Sequence, residues 1–340
     1  MFSSYDIARS TNVVFSEVLS KEQFDKLDSS NLEIIDEQDE YLFYKNRKFK
    51  ASQYDTIFTH TATLKNLFHL LKKIDTDLNL TLVTHQADTP ITKKLFKDKP
   101  KCIKSWYAVN ADYVDESLNP IPIGLANEYS PKNIQKKQIK FFPQLDNYGN
   151  KKHLLYVNFN SNTNIKERSW IKDYFVSQEW AEVETGSLSI EDYIERISNS
   201  SFTLCPWGNG YDTHRIWEAL CLGSIPIVKN HSTFRNLKNL PILFVEDYKI
   251  LTKELLKDYM NKIKHDRSLN LDILTDAYWS NFISDSKNVS TFSIEIKEPK
   301  YVFKYYLLKR KFLSKLKEIS FEDFCSITTR NFFNLFGKLN

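Results

Sequence analysis

The chain has 340 residues, is 41% apolar and 14% aromatic, and carries a formal charge of +4. That is more than one hydrophobic core ordinarily serves and too apolar for a disordered chain, so two packed domains are expected. No window approaches eighteen consecutive apolar residues, and MFSSYDIARS lacks the basic head and apolar stretch of a secretory signal, so a membrane span is excluded and a cytoplasmic location expected.

The first 45 residues read as two or three strands and a short helix, around TNVVFSEVL and EYLFYK. From residue 55 the pattern alternates. YDTIFTH is a strand, Leu64, Leu67, Phe68, Leu71 and Ile74 recur at helical spacing, and LTLVTH returns as a strand ending at His85. A short helix (ITKKLF), a strand (IKSWYAVN) and IPIGL follow, and this alternation predicts a parallel sheet with crossover helices. Residues 129–150 are polar, with Pro131, Pro143 and Gly149, and mark a domain boundary.

The alternation then restarts. Strands HLLYVNFN, WAEVE, SFTLCP, IPIVK and PILFVED are separated by helices over IKERSWIKDYF, SIEDYIERI, THRIWEALCL and HSTFRNLKNL, and two further helices span 250–266 and 271–283. The expected architecture is α/β, with one Rossmann-like domain over 1–135, a second over 151–298, and a helical tail over 299–340. Cys102, Cys205, Cys221 and Cys325 are far apart and show no zinc spacing, so neither a disulfide framework nor a metal site is expected.

Glycine is scarce: 7 residues in all, where average usage would give roughly 24. Three of them, Gly208, Gly210 and Gly223, fall in FTLCPWGNGYDTHRIWEALCLGSIPIV. There a strand runs into a loop holding Asn209, and a helix starts at once. Gly208 and Gly210 would let a ligand approach the backbone, and Asp212 suits the helix N-cap beside Thr213. The free amides at the helix start, with the Arg215 guanidinium, suit a phosphate or pyrophosphate. Glu218, on the same face, suits the hydroxyls of a ribose. Gly223 fits a left-handed helix cap ahead of Pro226. A solvated Arg–Glu pair is the plainer alternative, since G-x-G matches neither the dinucleotide fingerprint nor the P-loop.

The run PWGNGYDTHRIWEALCLGSIPIV resembles the C-terminal motif of exostosin-like glycosyltransferases (family 47): a Pro, a Gly-x-Gly loop, Asp-Ser/Thr-x-Arg, Glu-Ala, then Gly-x-x-Pro-Val, with Ile227 inserted before Val228. The resemblance covers about 35 residues clearly and the C-terminal half loosely. It implies the two-domain GT-B fold, its domains facing each other across a cleft, with a nucleotide sugar on the C-terminal domain and the acceptor on the N-terminal one. Arg215 would then neutralise the donor pyrophosphate, Glu218 would hold the ribose, and no metal would be required. A glycan or lipid-linked molecule would accept the sugar, with inversion. A catalytically inactive relative that binds nucleotide or glycan in a polysaccharide assembly complex is the competing reading.

Inverting transfer needs cations for the leaving diphosphate and a base for the acceptor hydroxyl. Arg168, after the loop NFNSNTN, is a second candidate phosphate contact, against solvated surface. For the base, Asp88 comes first and His85 second, both in LTLVTHQADTP, with Asp112 third. The alternatives are a helix N-cap for Asp88 and a hydrogen-bonded strand-end histidine for His85. His214 and Trp207 are candidate donor neighbours or structural residues. The tail, with nine basic and three acidic residues over 300–340 against a slightly acidic remainder, either packs on the body or holds the protein on an anionic membrane surface. Nucleic acid is not expected as a partner.

Overall fold

The computed structural model describes residues 1–74, 78–283 and 293–298. The tail expected over 299–340 lies outside the described residues. Contacts divide the chain into residues 1–296 and 297–340, and the seven-stranded and five-stranded sheets belong to the first unit.

In chain order the first half forms α1 (Ser4–Arg9), β1 (Val13–Ser20), α2 (Lys21–Phe24), β2 (Leu32–Glu37), β3 (Tyr41–Asn46), β4 (Lys48–Ser52), β5 (Thr56–His60), α3 (Leu64–Leu71), β6 (Leu80–His85), α4 (Lys93–Lys97), β7 (Ile103–Ala108) and β8 (Leu118–Pro120). The sheet order is β2-β3-β1-β5-β6-β7-β8. From β1 through β8 neighbours run parallel, but β3 pairs antiparallel with both β1 and β2. The sheet is therefore mixed, not wholly parallel. The loop between β2 and β3 is too short for a crossover helix, which forces a hairpin at that edge. Central β5 and β6 are almost continuously buried, as parallel strands covered on both faces must be. Leu64, Leu67, Phe68 and Leu71 of α3 face inward, as their spacing requires.

The second half forms β9 (His153–Val157), α5 (Ile165–Arg168), α6 (Ile171–Val176), β10 (Ala181–Val183), α7 (Ile190–Ser198), β11 (Ser200–Leu204), α8 (His214–Cys221), β12 (Ile225–Lys229), β13 (Leu243–Val245), α9 (Lys253–Lys264) and α10 (Asp276–Ile283). Its five strands are all parallel, in the order β10-β9-β11-β12-β13. The helix expected over 231–240 is only a 3-10 turn, Ser232–Phe234. His231 caps that turn, while Arg235 and Asn236 donate to the carbonyls of Leu118 and Pro120, so the segment ties the two sheets together. The segment 129–150 packs on the second sheet: Ile134 and Tyr148 are buried, and the Tyr148 hydroxyl donates to Leu220 O at 2.6 Å. One apolar cluster draws on both sheets, joining Phe58 and Val83 to Leu155 and Phe202.

Candidate active site

In the second sheet the chain leaves β9 toward the outer strand β10, whereas β11 leads the other way, to β12. The order reverses between β9 and β11, and the crevice outside the carboxyl ends of such strands is where open α/β sheets bind ligands. A cavity of about 690 Å³ lies there, lined among others by Asn158, Asn160, Ser161, Lys172, Arg215 and Glu218.

Arg215 enters from the first turn of α8. Burial opposes its charge, but the Tyr193 and Glu218 side chains outweigh that and hold the guanidinium firmly protonated. Its Nε is buried with no hydrogen-bond partner, and so is Oγ1 of Thr213. Thr213 is the N-cap of α8, in extended conformation, yet its side chain makes no cap bond. Two orphaned polar atoms thus stand within three residues at a helix start. Lys172 reaches the same cavity, its pKa lowered by burial and by the Arg215 charge. Glu218 is 1% exposed, and its oxygens already accept from Ile134 N (3.1 Å), Asn133 Nδ2 (3.4 Å) and the Tyr193 hydroxyl (2.9 Å). It clamps the 133–134 wall of the cavity against α8.

Several expected donor contacts have a different place. Arg168 is buried and spends its guanidinium on the protein: Nε donates to Trp207 O and Nη2 to Pro206 O, both at 2.7 Å, and Nη1 donates to Asn160 O and Thr163 Oγ1. Burial, and then the Arg215 charge, push its pKa down to about 10. It pins the 206–207 loop to the loop after β9 and spends four of its five N–H donors there, leaving one on Nη2. Asp212 is not the N-cap. Its carboxylate accepts from Ile123 N at 2.7 Å and Trp217 Nε1 at 2.9 Å, and burial pushes its pKa up to about 7. The close approaches at the two loop glycines are made by protein: a Cβ on Gly208 would stand 3.1 Å from Arg168 Nη2, and one on Gly210 2.6 Å from Asn110 Nδ2. Asn209 is exposed at the loop tip. Gly223, at φ +69°, ends α8, with Gly223 N donating to Leu220 O and Ser224 N to Ala219 O, the bond pair of a glycine-terminated helix.

On the first sheet, His85 is 1% exposed. Its Nδ1 accepts from Gln86 N, its Nε2 donates to Pro122 O, and burial pushes its pKa down to about 3, so no ring nitrogen remains to serve a substrate. Asp88 is exposed on the following loop and caps nothing, since Thr92 caps α4. Asp112 meets His231 at 3.2 Å. His214 Nδ1 donates to Gly124 O. Trp207 lines a separate cavity, of about 470 Å³, with Lys229 over its ring. Sequence reading missed Asn133, Lys172, Tyr193 and His231, which belong to no motif and reach these places only through the fold. Among the described residues no cluster of three or more His, Cys, Asp or Glu could hold a metal, and no helix is long and apolar enough to cross a membrane.

A family described as "RXYLT1 C-terminal domain" matches residues 130–285, less than half of the chain. Three curated proteins similar to it are ribitol-5-phosphate xylosyltransferase 1 of Danio rerio, Homo sapiens and Mus musculus. The first is 27% identical over 146 residues, covering 38% of this chain and 33% of that protein. The human protein is 30% identical over 97 residues (24% and 22%), and the mouse protein 29% over 112 (27% and 25%). The chain thus spans a third or less of the length of these relatives. A solved structure, AviGT4, a glycosyltransferase involved in avilamycin A biosynthesis, aligns with TM-score 0.31 and 9% identity over 68% of this chain and 86% of that one, too weakly to bear on the fold. The sequence similarity is to glycosyltransferases, and the family match covers the part of the chain that builds the second sheet.

Proposed function

We propose that the protein is a glycosyltransferase whose nucleotide-sugar donor lies in the cavity between β9 and β11. The observation that carries this is the pair of orphaned polar atoms, Arg215 Nε and Thr213 Oγ1, at the start of α8 beside that cavity. A helix start offers free N–H groups and a positive dipole end, and a guanidinium offers a fork, so a diphosphate satisfies both. Lys172 adds a third cationic or polar contact. The Asn133 contact to Glu218, at 3.4 Å, is the one long enough for a ribose hydroxyl to replace.

In the reaction, an acceptor hydroxyl oxygen bonds to the anomeric carbon as the bond from that carbon to the diphosphate breaks, with inversion. Arg215 and the helix start stabilise the charge that develops on the diphosphate. The reading extends to a GT-B arrangement of exostosin-like kind and to a reaction that needs no divalent metal. The activity for which the relatives are named makes a xylosyl donor and an acceptor bearing ribitol 5-phosphate the first pair to try, ahead of other glycan or lipid-linked acceptors.

Transfer assays with UDP-, GDP-, CMP- and TDP-linked sugars, UDP-xylose included, test this with and without EDTA. Turnover of one nucleoside-diphosphate donor class, unchanged by EDTA, is expected, and turnover of a CMP-linked donor alone would contradict a leaving diphosphate. No turnover with any donor would contradict the enzyme reading and favour a binding relative, and loss of turnover on chelation would contradict metal independence.

A further inference from the structure

We propose that segment 132–145 holds the protein against an anionic lipid surface, with Phe141 and Phe142 entering the interface and the lysines around them meeting the headgroups. This goes beyond the glycosyltransferase reading, and its test does not depend on turnover.

From Lys132 to Phe142 the sequence has four lysines, two phenylalanines and no acidic residue. Both ends of the segment are fixed to the body. Ile134 is fully buried, and Gln135 Nε2 donates to Glu128 O at 3.2 Å. At the other end Tyr148 is buried and bonded to Leu220 O. Between these pins the backbone makes two 3-10 turns, Lys136–Gln138 and Leu145–Asn147. Each is closed by its own side chain: Gln138 Oε1 accepts from Gln135 N and Asn147 Oδ1 from Gln144 N, both at 2.6 Å.

The apolar side chains carried on this frame face outward. Phe141 is 83% exposed, Leu145 45% and Phe142 37%. The other exposed large apolar residues are spread singly along the chain, whereas these three fall within five residues. Phe141 and Phe142 also line a cavity of about 700 Å³, to which Ile139, Ile194 and Leu222 contribute. An exposed apolar cluster of this kind marks a contact surface.

The charge around it selects the occupant. Lys136 is turned toward Asp6 at 3.2 Å and Asp276 at 3.6 Å. Lys132, Lys137 and Lys140 are exposed, and among the described residues none of them has an ion-pair partner. Lys137 and Lys140 line the cavity with a single acidic residue, Glu191. Protein interfaces are depleted in lysine, and a second copy docking by the same face would set these cations against their own kind. An anionic bilayer accommodates both features, since apolar and aromatic side chains insert at the headgroup level and each lysine near the surface adds attraction. The same segment begins at the donor cavity, which Pro131, Lys132 and Asn133 help to line. On the glycosyltransferase reading, docking by this segment keeps that cavity within reach of a lipid-linked acceptor.

The test is co-sedimentation of the full chain with vesicles of phosphatidylcholine alone, and of an equal mixture of phosphatidylcholine and phosphatidylglycerol. The wild type should bind the mixed vesicles, more weakly as salt rises, and should bind phosphatidylcholine far less. Phe141→Ser combined with Phe142→Ser should weaken binding at least about tenfold. Lys137→Glu combined with Lys140→Glu should weaken it about 25-fold or more. Phe141→Trp should bind like the wild type, and brominated lipid chains should quench its fluorescence more than that of the wild type. Failure of the wild type to bind the mixed vesicles overturns the proposal. So does binding by the double serine variant within about twofold of wild type, which puts any membrane contact elsewhere, as in the basic stretch 300–340. A wild type that is dimeric where the double serine variant is monomeric makes the face a self-interface and also overturns it. If the double serine variant melts at a lower temperature than wild type, Phe141→Trp decides: quenching above the wild-type level supports the assignment, and equal quenching overturns it.

Discussion

Two arginines with the same guanidinium sit on neighbouring elements and do opposite things. Arg168 commits four of its five N–H donors to carbonyl and hydroxyl oxygens, whereas Arg215 keeps an orphaned Nε at a polar cavity. Their sequence contexts do not separate them, because two of the carbonyls that hold Arg168 come from Pro206 and Trp207, some 40 residues away in the chain. The glycines divide similarly. Their scarcity points to the right loop, but the partners they admit are Arg168 and Asn110, and only the packed fold supplies those. Adding a methyl at Gly210 therefore drives Asn110 off Asp212 N. Gly210→Ala should cost about 1–3 kcal/mol in chemical denaturation and Gly208→Ala less, since overpacking scales with how far neighbours must move. Equal, negligible costs for both would contradict the close approach seen at Gly210.

At the scale of elements, most of the unit from β11 through α8 to β12 was legible: apolar strand, loop, helix, Gly223 cap and Pro226 in the next strand. The cap at its start was not. A local rule assigns Asp212, but Ile123 N reaches that carboxylate from 89 residues away and leaves Thr213 to begin the helix. The 231–240 segment misled for a related reason, its side chains being spent on the carbonyls of β8 and on its own cap, so the helical pattern goes unused. The loop that precedes α8 depends on the planar fork of Arg168. Arg168→Lys keeps the charge but loses the fork, and should lower unfolding free energy by about 3 kcal/mol, as two or more charge-assisted bonds disappear from a buried site. A change under about 0.5 kcal/mol would show that the loop stands without it.

Across the whole molecule, alternation of strand and helix foretold two α/β sheets, while the antiparallel edge and the bridging contacts were not visible, since they depend on how the sheets meet. The turn Pro122–Gly124 is gripped by His85, Asp212 and His214, and two of these groups respond to pH in opposite senses. His85 is depressed to about 3 from 6.5, so between those values the unfolded chain binds a proton the fold refuses, and stability is lost as pH falls. Asp212 is raised to about 7 from 3.8, so the fold keeps a proton the unfolded chain gives up, and stability is lost as pH rises through that window. The wild-type advantage in melting temperature over His85→Gln should therefore grow as pH rises from about 3 to about 6.5, and its advantage over Asp212→Asn should shrink from about 4 to about 7. Parallel trends in the two variants would contradict this.

On the proposed function, the cavity between β9 and β11 holds a diphosphate against Arg215. Calorimetric titration of UDP, GDP and TDP, with the monophosphate CMP as control, into wild type and Arg215→Ala tests it directly. One nucleoside diphosphate should bind the wild type and lose about 100-fold in affinity in the variant, the 2–3 kcal/mol of a charge-assisted pair. Equal affinity in both proteins, or no binding by the wild type, would contradict it.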